Sequence, residues 1–230
     1  MYYNDLFYCE VAGQVYWDTE SFKDYHVETI DIDNCRARVY SKTTETIIAY
    51  CGTDDIRDIK HDLSATLWRE NYGRIHRGFR DHAHRLYARV AQIARNSTNV
   101  VLVGHSLGGG AATVTAYWIQ QDFPNLPVTL YTYGSPRVGW NSFIKNIRTP
   151  HRRWVNNNDV VCRVPPWFLG YKHHGTQLYI NRKGELSKPS ITDRILGYRQ
   201  SLIDPFTDHH IDNYYNQIKR LHENYVRGND

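Results

Sequence analysis

A serine between two glycines, Gly104-His105-Ser106-Leu107-Gly108, sits where an apolar run ends and a helix-compatible run begins. Asn99–Val103 is rich in β-branched residues, as a fully buried strand is. From Leu107 onward the residues are small, then apolar at helical spacing at Ala111, Ala112, Ala116 and Ile119. A serine on so tight a strand-to-helix turn needs glycines two positions away on either side. The turn strains its backbone, and side chains at the flanking positions would collide. The hydroxyl then stands at the end of a sheet and the start of a helix, where backbone N–H groups point at a developing anion. A strand that must feed a helix through such a turn belongs to an α/β fold, and Ser106 becomes a candidate nucleophile.

The rest of the chain supplies the strands and helices this requires. Residues 35–41 and 44–51 read as a hairpin, the second strand nearer the middle of the sheet. A helix is predicted over Arg80–Arg95, with Ala83, Leu86, Tyr87, Val90, Ile93 and Ala94 inward. Val128–Tyr133 and Arg153–Asn156 read as further strands, and Gly175–Asn181 with the turn at 182–185 as an edge hairpin. Thr207 to about Asn224 is an amphipathic helix, with Thr207 or Asp208 as its N-cap. Residues 1–30 read as helix and loop, with Val15-Tyr16-Trp17 and Phe22 as core candidates. Strands alternating with helices argue for a mainly parallel sheet. With no linker-like or repetitive stretch, residues 1–230 are expected to form a single domain.

A serine hydroxyl needs a base, and the base an orienting carboxylate. In hydrolases of this layout the order along the chain is Ser, acid, His. Asp159, just after a predicted strand, suits the acid; Asp122 points the wrong way, while Asp193, Asp204 and Asp208 stay open. For the histidine, Asp208-His209-His210 at the start of the last helix leaves either imidazole, and His173-His174 is the other late pair. An oxyanion needs two donors: the N–H of Leu107, and one from an earlier strand end, where Thr53 follows Cys51-Gly52.

These segments together resemble the class 3 lipase family, the fungal-lipase-type α/β hydrolases, from about Ile47 to Tyr214. The resemblance is carried by Ala49-Tyr50-Cys51-Gly52-Thr53 with Asp62-Leu63, His76-Arg77-Gly78-Phe79 and Gly104–Gly109. It continues through Tyr133–Gly139, Asn156–Val161 with Pro165-Pro166, and Asp208-His209-His210-Ile211 to Tyr214. It implies an α/β-hydrolase fold, a mainly parallel central sheet flanked by helices. It implies a lipase or esterase of lipid degradation, with Ser106 as nucleophile, Asp159 as acid, and Thr53 with Leu107 as the oxyanion hole. It favours His209 over His210, because the family histidine follows an Asp and precedes a tyrosine about five positions on. It also implies a lid over roughly Asp54–His61. This chain departs from the family at Cys51, where an arginine is usual, and at Ile59 in a charged segment that commonly carries a tryptophan. Such a short charged lid points to soluble or medium-chain esters.

The expected partner is a lipid or small ester, with room for transient contact with a lipid interface. A net charge of +4, scattered along the chain, does not suggest nucleic acid. No apolar run approaches the ~20 residues of a membrane span. No histidine has metal-ligand spacing, so neither metal nor other cofactor is expected. Cys9, Cys35, Cys51 and Cys162 are far apart and expected to be reduced. With no basic, apolar leader in MYYNDLFYCEVAG, this suggests a cytoplasmic location. The competing reading is a lipase-like scaffold that binds a partner without hydrolysis.

Overall fold

In a computed structural model, which describes residues 2–17, 21–52, 67–189 and 207–228, thirteen strands form two sheets. The strands are β1 (Ser21–Phe22), β2 (Tyr25–Ile32), β3 (Cys35–Lys42), β4 (Glu45–Tyr50), β5 (Leu67–Glu70), β6 (Gly73–His76) and β7 (Val100–His105). They continue with β8 (Val128–Tyr133), β9 (Gly139–Trp140), β10 (His151–Asn156), β11 (Tyr171–Lys172), β12 (Thr176–Ile180) and β13 (Leu186–Ser187). The large sheet has the order β1-β2-β3-β4-β7-β8-β10-β12-β13. Its centre, β4-β7-β8-β10-β12, is parallel, and antiparallel strands extend both edges. The small antiparallel sheet has the order β11-β9-β6-β5. This is the α/β-hydrolase fold with a mainly parallel central sheet.

β4 and β7, at the middle of the sheet, are nearly continuous apolar runs because both faces are covered. Ile48 and Tyr50, Val100 and Leu102, and Leu130 pack on α2 (Arg77–Arg95) and α3 (Leu107–Asp122). Their neighbours Ile47 and Ala49, Val101 and Val103, and Tyr131 and Tyr133 turn to the other face. There they meet the first helix, α1 (Tyr3–Gln14), and the last, α5 (Ile211–Arg227). Among the described residues the remaining α-helix, α4 (Asn141–Ile144), is one turn.

α1 is pinned by one buried carboxylate. Asp5 accepts both guanidinium N–H groups of Arg152 (2.6 and 2.8 Å) and the indole N–H of Trp154 (2.9 Å). In the basic run His151-Arg152-Arg153, His151 and Arg153 are buried, and Arg152, partly exposed, is held by Asp5.

Three expectations need correction. Residues 25–32, read as helix or loop, form β2, because Asp33 and Asn34 both take positive φ (50° and 61°) and close a tight hairpin onto β3. Trp17, expected in the core, is 66% exposed, and its carbonyl instead receives Arg38. The N-cap of α5 is His210, not Thr207 or Asp208, because Asp208 is engaged with the loop after β10. Thr53, Asp193, Asp204 and the segment 54–61 lie outside the described residues.

Candidate active site

Ser106 joins β7 to α3 with φ 57° and ψ −131°, a strained conformation for a residue with a side chain. Two close approaches make this turn possible. A Cβ on Gly104 would strike the carbonyl of Gly108, and one on Gly108 would strike the carbonyl of Tyr50 on β4. The flanking glycines are thus required by backbone packing, as the sequence pattern predicts. The serine side chain is 1% exposed, and its neighbours decide its chemistry.

His209 Nε2 lies 2.8 Å from Ser106 Oγ, and His209 Nδ1 lies 2.9 Å from Asp159 Oδ2. An ionised carboxylate only accepts hydrogen bonds, so Nδ1 carries the proton and Nε2 offers its lone pair to the serine hydroxyl. Burial would push the Asp159 carboxyl up; the charge and hydrogen bond of His209, the Tyr214 hydroxyl and the Val161 N–H outweigh it and hold it below its ordinary value. Tyr214 donates to Asp159 Oδ2 at 2.6 Å, Val161 N–H to Oδ1 at 2.8 Å, and Tyr214 itself accepts the Asn156 N–H at 3.0 Å.

The three residues come from elements far apart in sequence and need stitching. The Asp208 carboxylate accepts the side-chain amide of Asn157 and the N–H of Asn158, while Asn156 donates to the Asp208 carbonyl. These bonds join the start of α5 to the loop after β10, and so bring His209 to Asp159. On the other side, His105 Nε2 donates to the carbonyl of His209 at 2.7 Å, and the two rings stack at 4.6 Å. Burial first, then the neighbouring His209, lowers the His105 pKa to about 3. His105 is therefore neutral, and its Nδ1 accepts the Tyr16 hydroxyl at 3.0 Å. Gly134 at φ +64° passes so close that a Cβ would lie 2.8 Å from Asp159 Oδ2 and 2.9 Å from His209.

Among the described residues, the structure brings together Ser106, Asp159, His209 and Leu107. Leu107 begins α3, so its N–H belongs to the helical turn that lacks intrahelical acceptors. It leaves His210 exposed at the head of α5. His173 and His174 sit elsewhere, against the Cys162 carbonyl and His151. Asp122 bonds Tyr87 at the far end of α3. Sequence reasoning gave no role to Tyr214, Asn156–Asn158 or His105; the first lies five positions after His209, and only the fold shows what that spacing does. No group of three or more metal-binding side chains occurs among the described residues.

A buried Ser–His–Asp chain on a strand–turn–helix is the arrangement that serine hydrolases of this fold use. The sequence profile of the family described as Lipase (class 3) matches residues 47–169, more than half the chain. The chain belongs to that family.

A relative in Fusarium solani, "Secreted mono- and diacylglycerol lipase 1", is 29% identical over 213 residues, covering 77% of this chain and 63% of the relative. A "Lipase" of Rhizomucor miehei is 29% identical over 193 residues, covering 76% and 51%. The chain thus spans between half and two thirds of these relatives' lengths. The solved structure of the Rhizomucor miehei triacylglyceride lipase superposes with a TM-score of 0.73, at 24% identity over 84% of this chain and 89% of that one. The expectation of a cytoplasmic location is overturned by the secreted Fusarium relative. The four thiols are indeed free, but they are buried apart from one another, so they report nothing about a redox compartment.

Proposed function

We propose that the chain hydrolyses carboxylic esters of lipids through an acyl-enzyme intermediate. The observation that supports this most directly is the unbroken chain of hydrogen bonds from Asp159 through His209 to Ser106. Ser106 Oγ attacks the acyl carbon while His209 Nε2 takes its proton, and Asp159 stabilises the imidazolium that forms. The same proton then goes to the departing alkoxide. Water, deprotonated by His209, releases the acid and restores the serine. The Leu107 N–H, at the positive end of α3, stabilises the oxyanion. Thr53 is proposed as the second donor from its place in the sequence after β4.

The substrate class is an acylglycerol or related lipid ester, in keeping with the family. No cofactor enters any step. Nitrophenyl butyrate should be turned over, and Ser106→Ala should lower kcat/KM by at least ~10³-fold. Undiminished turnover in that variant would overturn Ser106 as the nucleophile, whereas failure of a fluorophosphonate to label the protein would favour the non-catalytic binding scaffold.

A further inference from the structure

The turn Trp167-Phe168-Leu169 presents three apolar side chains to solvent, 66%, 71% and 43% exposed. It is held in that position by its backbone. Arg137 donates its guanidinium to the carbonyls of Arg163 and Pro165 and its N–H to Val164. Leu169 N–H and Gly170 N–H close the turn onto Pro166 and Trp167 at 3.1 and 3.0 Å. Gly170, at φ +89°, lies so close to the Trp140 indole that a Cβ would be 2.7 Å from it. The rings of Trp167 and Phe168 meet edge-on at 6.2 Å, so the apolar tip is preformed.

Its position and surroundings say what it meets. Arg137 follows the carboxyl end of β8, and the Asp159 loop that leads to the turn follows the carboxyl end of β10. Ser106 follows the carboxyl end of β7, so the turn stands at the same end of the sheet as the site. Residues 160–184 hold Arg163, Lys172, Arg182 and Lys183 and no aspartate or glutamate. Lys172 is exposed next to the turn, and Arg74 stacks on Trp140 at 4.1 Å. The preceding acid, Asp159, is buried, and Glu70 belongs to β5, at the opposite edge of the small sheet from β11. Among the described residues, an apolar tip with Lys172 exposed beside it and Arg163 just before it matches a surface with apolar depth and anionic headgroups.

We propose that Trp167, Phe168 and Leu169 form a fixed anchor that inserts between the headgroups of an anionic lipid surface. Arg163 and Lys172 pair with the lipid phosphates, and the Ser106 end of the sheet is turned toward the lipid. This deepens the lipid-ester reading and rests on it for its purpose, while binding is measured apart from turnover.

The test is co-sedimentation of the Ser106→Ala protein with vesicles of phosphatidylcholine alone or with phosphatidylglycerol. Phosphatidylglycerol should raise the bound fraction, salt should lower it, and Trp167→Ser with Phe168→Ser should cut partitioning about tenfold. In the Ser106 parent the same pair of changes should leave nitrophenyl butyrate turnover unchanged, which also shows that the fold survives. Equal partitioning of variant and parent, or binding indifferent to phosphatidylglycerol, would overturn the proposal. So would a dimer abolished by the two substitutions, because the patch would then be a protein interface. Vesicle binding without ester turnover would sink the hydrolase reading and leave the anchor standing.

Discussion

At the scale of single residues, the site turns on which atoms face one carboxylate. Asp159 accepts from His209, Tyr214 and the Val161 N–H, and each bond favours its charged form. Asp159→Asn keeps the shape but presents an amide to His209 Nδ1, which disfavours the productive tautomer. Its kcat should fall by about 10⁴-fold on nitrophenyl butyrate with KM little changed. Tyr214→Phe removes one of three bonds and leaves the other two, so a loss of about tenfold in kcat is expected. If Tyr214→Phe proved as damaging as Asp159→Asn, the tyrosine would be doing more than orienting the acid. The tautomer follows from the chemistry of the groups; which tyrosine reaches the acid does not, because Tyr214 and Tyr215 share the same apolar face in the sequence pattern.

At the scale of elements, the parts most legible in the sequence were those whose pattern is local. The helix read as Arg80–Arg95 extends to Arg77–Arg95 and buries Ala83, Leu86, Val90 and Ala94 as the spacing predicts. β2 was hidden because its burial does not alternate: Tyr25 and Ile30, five positions apart, are its buried residues. Its signal was the Asp33-Asn34 turn, whose two left-handed residues demand a hairpin. α1 shows the complementary case, since a buried charge, Asp5, is added to its apolar stripe of Tyr8, Cys9 and Ala12. Asp5→Ala would strip Arg152 and the buried Trp154 indole N–H of their acceptor. Thermal unfolding should detect a loss of about 3 kcal/mol. A change under ~0.5 kcal/mol would mean that α1 is held by apolar contacts alone.

At the scale of the whole molecule, a cluster of one buried and two partly buried histidines gives the fold an acid limit. His151 Nδ1 faces His174 Nδ1 at 3.2 Å, its Nε2 meets the Thr132 hydroxyl, and His173 bonds the Cys162 carbonyl. Burial is the main cause that lowers all three pKa values, with neighbouring His and Arg charges adding to it. The folded protein disfavours the charged form of these rings, most of all the buried His151, whereas the unfolded chain protonates them near pH 6.5. Their contribution to stability is therefore complete above about pH 6.5 and is lost progressively below it, by up to roughly 1.4 kcal/mol per pH unit for the buried His151 and by less for the two partly exposed rings. Tm should start to fall between about pH 6.5 and 5, before the ~pH 4 where carboxylates titrate, and His151→Gln should flatten that decline. A Tm constant from pH 7 to 5 would refute this.

The same division separates what the residues determine unaided from what only folding decides. The strand, the glycine-flanked turn and the helix around Ser106 follow from neighbours within a few positions, so sequence alone determined them. The order of serine, acid and histidine is likewise a property of the chain. Which histidine meets the serine is decided in space: the bonds from Asn156–Asn158 to Asp208 deliver His209 to Asp159, 50 positions away, and to Ser106, 103 positions away, leaving His210 exposed. Closures of that length depend on the register of β7, β8 and β10 and on the docking of α5. Those are set by the packing of the whole sheet, and no local pattern encodes them.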